Sequence, residues 1–342
     1  MISLRKMIAA ALCGAVALGM ASCGNASSSS ADGSTVSAAS PAGSSDKKQI
    51  VCTAFAAYDW ARELTKGTDN VEITYLLGKG VDMHSFQPTA DDILKISTCD
   101  LFVYVGGESD EWAEDALANA TNKDIRRVAL LPAIGSAAKT EEVKEGMQGE
   151  EEEEEEHEGH DEAPEYDEHV WLSVRNAKTI CEKMTEELSA VDKDNADSYK
   201  NNLAAYSEKL DKLDGDFKAL ADGAKNKTLI FGDRFPFRYF VEDYGFDYYA
   251  AFVGCSAETE ASFETVTFLA GKVDELNADT VYTIENSDGK IANTIIESSK
   301  AKSAQTAVLD SIQSVTTDRI NNGETYLSMM EKNLEVLKQH VK

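Results

Sequence analysis

Five histidines occur in 342 residues: His84, His157, His160, His169 and His340. Imidazole is the commonest metal-binding side chain, and it suits zinc, copper, iron or nickel better than calcium or magnesium. His84 lies in Gly80-Val81-Asp82-Met83-His84-Ser85-Phe86-Gln87-Pro88-Thr89, after a strand-like run and before a helical one. His169 lies in Asp167-Glu168-His169-Val170-Trp171-Leu172-Ser173, where an acidic run gives way to apolar sequence. Either histidine alone would read as structural. Two such loops facing one cleft would read as a metal site. No HExxH, GxSxG or Walker-type loop accompanies them, so the motifs of zinc proteolysis, serine hydrolysis and nucleotide binding are missing. A secreted zinc hydrolase built on other residues stays an alternative, and it would need an open coordination position and a placed base.

Against 33 Lys and Arg stand 61 Asp and Glu, a formal charge of −28. Such a surface repels phosphate backbones, excludes a nucleic-acid role and favours cations. The charge is uneven: residues 141–168 hold 16 acids and one Lys144, with an unbroken run over 150–156. Like charges packed this densely predict a disordered acidic loop. His157 and His160 fall inside it and would add weak auxiliary zinc affinity to a local cation trap.

Arg5 and Lys6 precede an apolar run over 7–20 that is shorter than the ~20 residues of a membrane span. Ala21-Ser22-Cys23 follows and resembles the bacterial lipobox. The expectation is a lipoprotein signal peptide over 1–22, a lipidated Cys23, and a Ser/Ala/Gly-rich tether over 23–47. The body would then sit in the cell envelope, lipid-anchored on the outer face of the cytoplasmic membrane. Cys52, Cys99, Cys181 and Cys255 form no CxxC pair and are expected as buried thiols rather than a disulfide framework.

The elements that must position the histidines alternate along the chain. Strand-like runs at 50–55, 71–77, 101–105 and 128–131 are separated by helical stretches at 57–66, 89–98 and 110–120, which implies βαβ units and a parallel sheet. A helix near 176–189 precedes the clearest periodic signal: Tyr199, Leu203, Tyr206, Leu210, Leu213, Phe217 and Leu220 recur at steps of four and three. That spacing predicts one long amphipathic helix ending near Gly223. The alternation then resumes, with strands at 228–232, 248–252, 280–285 and 307–309 and helices at 235–244, 262–276, 290–302 and 324–340. Two α/β halves joined by one long helix would place a ligand site in the cleft between them. Cys255 would lie near that cleft as a minor soft-ligand candidate.

The 80–89 and 167–173 stretches, the acidic insertion and the long helix together resemble the metal-binding solute receptors of ABC transporters, the zinc/manganese cluster, over roughly 48–342. The resemblance implies two lobes, each with a four-stranded, mainly parallel sheet flanked by helices, bridged by one long backbone helix. The lobes would span 48–175 and 225–342, with connecting helices over 176–224. It further implies a monomer that holds a transition metal between the lobes and hands it to an ABC transporter permease, with no enzymatic step. Where zinc members place a third histidine, this chain reads Gly232-Asp233-Arg234-Phe235. Arginine has no lone pair for a metal, so Asp233 either ligates or pairs with a neighbouring charge. Glu285 matches the family's second-lobe carboxylate, and Asp310 matches a position that ligates in some manganese members. His84, His169, Glu285 and Asp233 are therefore the expected ligand set. Zn²⁺ is the first expectation and Mn²⁺ the alternative, since carboxylates harden the site. An iron receptor, a surface adhesin or a metal scavenger on the same fold are the remaining alternatives.

Overall fold

The computed structural model describes residues 47–148, 165–256, 260–300 and 302–341. The expected signal peptide, Cys23, most of the tether, and the auxiliary His157 and His160 lie outside the described residues.

Short apolar strands alternate with helices through the first half: β1 (Lys48–Cys52), α1 (Phe55–Leu64), β2 (Val71–Tyr75), α2 (Ala90–Thr98), β3 (Leu101–Tyr104), α3 (Trp112–Ala118), β4 (Arg126–Ala129) and the single turn α4 (Leu130–Ala133). All four residues of β3 are buried, as expected of a central strand covered on both faces. The sheet has order β2-β1-β3-β4 and is parallel throughout. Helix α5 (Val174–Val191) and the 28-residue α6 (Ala196–Gly223) follow. The second half comprises β5 (Thr228–Phe235), α7 (Arg238–Tyr244), β6 (Asp247–Val253), α8 (Phe263–Leu276), β7 (Thr280–Thr283), α9 (Lys290–Ser298), β8 (Gln305–Val308), α10 (Thr317–Asn321) and α11 (Tyr326–His340). Its sheet, β6-β5-β7-β8, repeats the order and direction of the first.

The stripe that predicted α6 is the face it buries: Tyr199, Tyr206, Leu210, Leu213 and Phe217 are buried, with Leu203 and Leu220 packed beside them. Arg175 and Lys178 of α5 pair with Asp214 and Asp211 of α6 and hold the two helices side by side. One hydrophobic core runs through both halves, containing Val103 of the first sheet, Phe231 of the second, and Tyr326 of α11. Although it follows the second sheet, α11 reaches back to the first half. The backbone N–H of Tyr326 donates to Asp59 at 2.9 Å, and its hydroxyl donates to the carbonyl of Trp171 at 2.7 Å. The lobe boundaries at 175 and 225 thus divide the sheets but not the core.

Several expectations need correction. Strand β5 runs on to Phe235 instead of stopping at 232, with a register shift between Phe231 and Arg234. A Cβ at Gly232 would lie 2.5 Å from the Cα of Ala292, so only glycine lets α9 approach there. The acidic segment is not disordered over all of 141–168. Gln148 bridges to Phe252 and Thr140 to Tyr166, while Lys144 pairs with Asp247 and Glu142 with Arg238. Cations and backbone partners from the second half offset the repulsion that composition alone implied. The four cysteines of the body are free thiols, three of them buried.

The α5–α6 junction is fixed by Asp192, which accepts from Asn70, Asn195 and Tyr199 at 2.9, 2.8 and 2.6 Å. Burial opposes its charge, but hydrogen bonds from Tyr199, Asn195 and Asn70 outweigh that and hold the carboxyl below the usual range. A depressed folded pKa gives stability that is present above the unfolded value of about 3.9 and lost as pH falls through the lower folded value. Asp192→Ala should therefore cost about 2 kcal/mol at pH 7. Urea midpoints measured at neutral pH and below about pH 3 should show the difference shrinking in acid.

Candidate metal centre

The His84 loop is built by local hydrogen bonds. Asp82 accepts the His84 N–H at 3.0 Å and caps a single helical turn, Met83–Ser85. Thr89 and Asp92 form a capping box that starts α2 and ends the loop. The His169 loop uses the same device: Asp167 accepts the His169 N–H at 2.9 Å before the turn Val170–Leu172. Trp171 locks that turn by donating its indole N–H to the carbonyl of Ser311 at 2.8 Å.

These loops bring the two imidazoles together, Nε2 to Nε2 at 3.1 Å, in a largely water-excluded position. Nδ1 of His84 lies 2.6 Å from Ser109 Oγ and 3.4 Å from Glu168 Oε2. Nδ1 of His169 lies 3.2 Å from Asp167 Oδ1. An acceptor at each Nδ1 turns each Nε2 inward as a potential ligand. Two nitrogens held by one tetrahedral ion at about 2.0–2.1 Å would stand about 3.3 Å apart, close to the observed separation. Burial and the facing His169 push the pKa of His84 down. Burial also opposes charge on His169, but the Asp167 carboxylate overrides it and holds His169 above its ordinary value. Burial pushes Glu168 up to about 6.

The expected carboxylates sit apart from this cluster. Glu285 accepts from Ser311 N at 2.6 Å, Ser311 Oγ at 2.8 Å and Gln313 N at 3.3 Å. It clamps a loop in which Ile312 has φ 61°, a conformation that β-branched residues rarely adopt. Gln313 links this clamp to the histidines, its side-chain oxygen lying 3.0 Å from His169 Nε2. Asp233 accepts from the backbone of Arg234 and Ile284 at 2.9 and 3.4 Å, bridging β5 and the end of β7. Arg234 crosses between the lobes, pairing with Asp82 and donating to the Ser256 carbonyl at 3.1 Å. Asp310 pairs with Arg319. A cleft of ≈ 500 Å³ lies alongside, lined among others by Asp82, Asp233, Arg234, Ser256 and Glu285.

Residues 50–340 match ZnuA, the zinc-uptake complex component A, periplasmic. The chain belongs to this family. The zinc-binding lipoprotein AdcA of Streptococcus pneumoniae is 33% identical over 296 residues, covering 86% of this chain and 56% of AdcA. The chain thus spans a little over half the length of that relative. The high-affinity zinc uptake system protein ZnuA of Bacillus subtilis is 29% identical over 319 residues, covering 93% of this chain and 92% of that one. The Zn(II)-bound ZnuA-like domain of S. pneumoniae AdcA superposes with a TM-score of 0.67 at 28% identity, covering 86% of this chain and 99% of the domain.

Ser109, Glu168 and Gln313 are contacts of the histidine pair that sequence reasoning missed. Glu168 is adjacent to His169, so the Asp-Glu-His triplet carried a legible signal. Ser109 and Gln313 meet the histidines only through the fold. Removing Arg234 would leave Asp82 without its cross-lobe partner, so Arg234→Ala should cost about 2 kcal/mol. Hydrogen exchange should show faster opening of the Gly80–Ser85 and 254–256 loops, with the sheets unchanged.

Proposed function

We propose that this chain is an extracytoplasmic receptor that captures Zn²⁺ between its lobes and delivers it to an ABC transporter permease for import. The observation that carries the reading is the inward-facing Nε2 pair of His84 and His169, each imidazole oriented by an oxygen at Nδ1. Family membership supports it independently. Zinc comes before manganese because both anchoring atoms are imidazole nitrogens, which suit the softer ion. In this reading Glu285 closes the site from the second lobe by giving up its hydrogen bonds to Ser311 and Gln313 as an incoming ion displaces the Gln313 side chain. Asp233, held by two backbone groups, is given a structural part. Because the halves share a core, opening and closing belong to the loops over the histidines rather than to a wide rotation of the lobes. In this reading the chain is a monomer tethered by a lipidated Cys23, and it carries no catalytic step.

The test is metal analysis of the purified full-length chain beside a His84→Ala, His169→Ala variant. The parent should retain one tightly held zinc per molecule and the variant none. Equal metal content in the two would place the site elsewhere.

A further inference from the structure

A third side chain reaches the histidine pair. A ring nitrogen of His84, a ring nitrogen of His169 and Sγ of Cys255 lie within 4.8 Å of one another. Among the described residues this is the one group of three or more His, Cys, Asp or Glu side chains whose ligand atoms converge so closely. We propose that Cys255 binds the ion as a thiolate and completes a His₂Cys set, with the fourth position taken by an oxygen from water or Glu285. The proposal rests on the receptor reading above and deepens it by naming the residue that selects the metal.

The loop carrying Cys255 leaves β6 directly over the His169 ring. A Cβ at Gly254 would lie 3.2 Å from both Cε1 and Nδ1 of that imidazole, so the residue before the cysteine needs to be small for the loop to sit this close. The backbone N–H of Cys255 donates to Glu141 at 3.1 Å, and the Arg234 guanidinium holds the next residue through the carbonyl of Ser256. Hydrogen bonds thus fix the backbone on both sides of the sulfur, opposite two imidazoles from the other lobe. An Sγ–N edge in a tetrahedral zinc site is about 3.6 Å, so a shift of roughly one ångström closes the set. On binding, the S–H bond breaks, its proton leaves to solvent, and the sulfur lone pair forms the bond to the metal. Thiolate favours zinc over manganese more strongly than an oxygen ligand in the same place would. Specificity would then reside in the second lobe and anchoring in the first.

X-ray absorption on the zinc-loaded, full-length, unmodified chain tests the proposal without a variant. One sulfur scatterer at about 2.3 Å beside nitrogen and oxygen at about 2.0–2.1 Å is expected. A shell of nitrogen and oxygen alone overturns it. Cobalt(II) substitution adds a second readout: a sulfur-to-metal charge-transfer band present in the parent and lost in Cys255→Ser. That variant should bind zinc on the order of 100-fold more weakly and narrow the preference for zinc over manganese. Unchanged affinity and selectivity in folded Cys255→Ser would count against the thiolate. If zinc stays bound when His84 and His169 are both replaced, the receptor reading itself fails. If zinc is lost there but no sulfur is seen in the parent, only the Cys255 assignment fails.

Discussion

Two imidazole nitrogens held 3.1 Å apart where water is largely excluded impose the constraint on which the rest of the structure depends. With an acceptor at each Nδ1, both Nε2 atoms present lone pairs to the same space, and two lone pairs repel unless a cation lies between them. Everything adjacent keeps the rings from turning away. Ser109 and Glu168 back one ring, Asp167 backs the other, and Trp171 anchors the turn behind His169 to Ser311. A zinc ion relieves the repulsion and makes two bonds. Here the preorganisation resides in the carboxylates behind the ligands as much as in the ligands themselves.

Holding two loops from distant sequence at that separation requires a frame that does not yield. A hydrophobic core shared by both halves supplies it: α6 packs on α1, α5 and α11, α11 also meets β8, and Tyr326 ties α1 to the Trp171 turn. In many two-lobed binding proteins each lobe could keep its own core and rotate freely. Here a wide opening would expose apolar surface shared by both halves, which is costly at roughly 25 cal/mol per Å². Loop-scale movement is cheaper. The Arg234 contacts to Asp82 and Ser256 are polar and lie at the cleft, so they break and reform without disturbing that core.

The sheets, the order of elements and the long helix were legible because each depends on a local period: continuous apolar runs for buried parallel strands, and steps of three and four for α6. Histidine scarcity made the site's first-lobe half legible too. What failed was information carried across the fold. The extension of β5 depends on Gly232 admitting Ala292 from a helix 60 residues on. Charge density suggested that 141–168 would not order, but Lys144, Arg238 and the edge of β6 give its first residues partners that no local window contains. Glu285 and Asp233 were chosen by matching a family pattern. Their hydrogen bonds to Ser311 and Ile284 occupy them in a way that only the packed loops reveal. Cys255 was legible only as a minor soft-ligand candidate, because its closeness to the histidines is set by the loop after β6 and not by its own neighbours in sequence.

The placement of acidic residues completes the picture, since a strongly negative chain does not by itself deliver a cation to one site. The carboxylates nearest the histidines are largely committed: Asp82 to Arg234, Asp167 to His169, and Glu285 to the Ser311–Gln313 loop. None of these three is a loose chelator, so an ion entering the cleft meets a negative field from carboxylates already hydrogen-bonded or paired within the protein. Gln313 belongs to the same arrangement. Its neutral oxygen lies 3.0 Å from His169 Nε2 while its backbone N–H donates to Glu285, so it sits against the buried imidazole without adding charge. A charged side chain in that place would resist displacement far more strongly. A neutral amide gives way to a divalent ion at the cost of one ordinary hydrogen bond, about 1 kcal/mol, and this keeps the site both closed to water and open to metal.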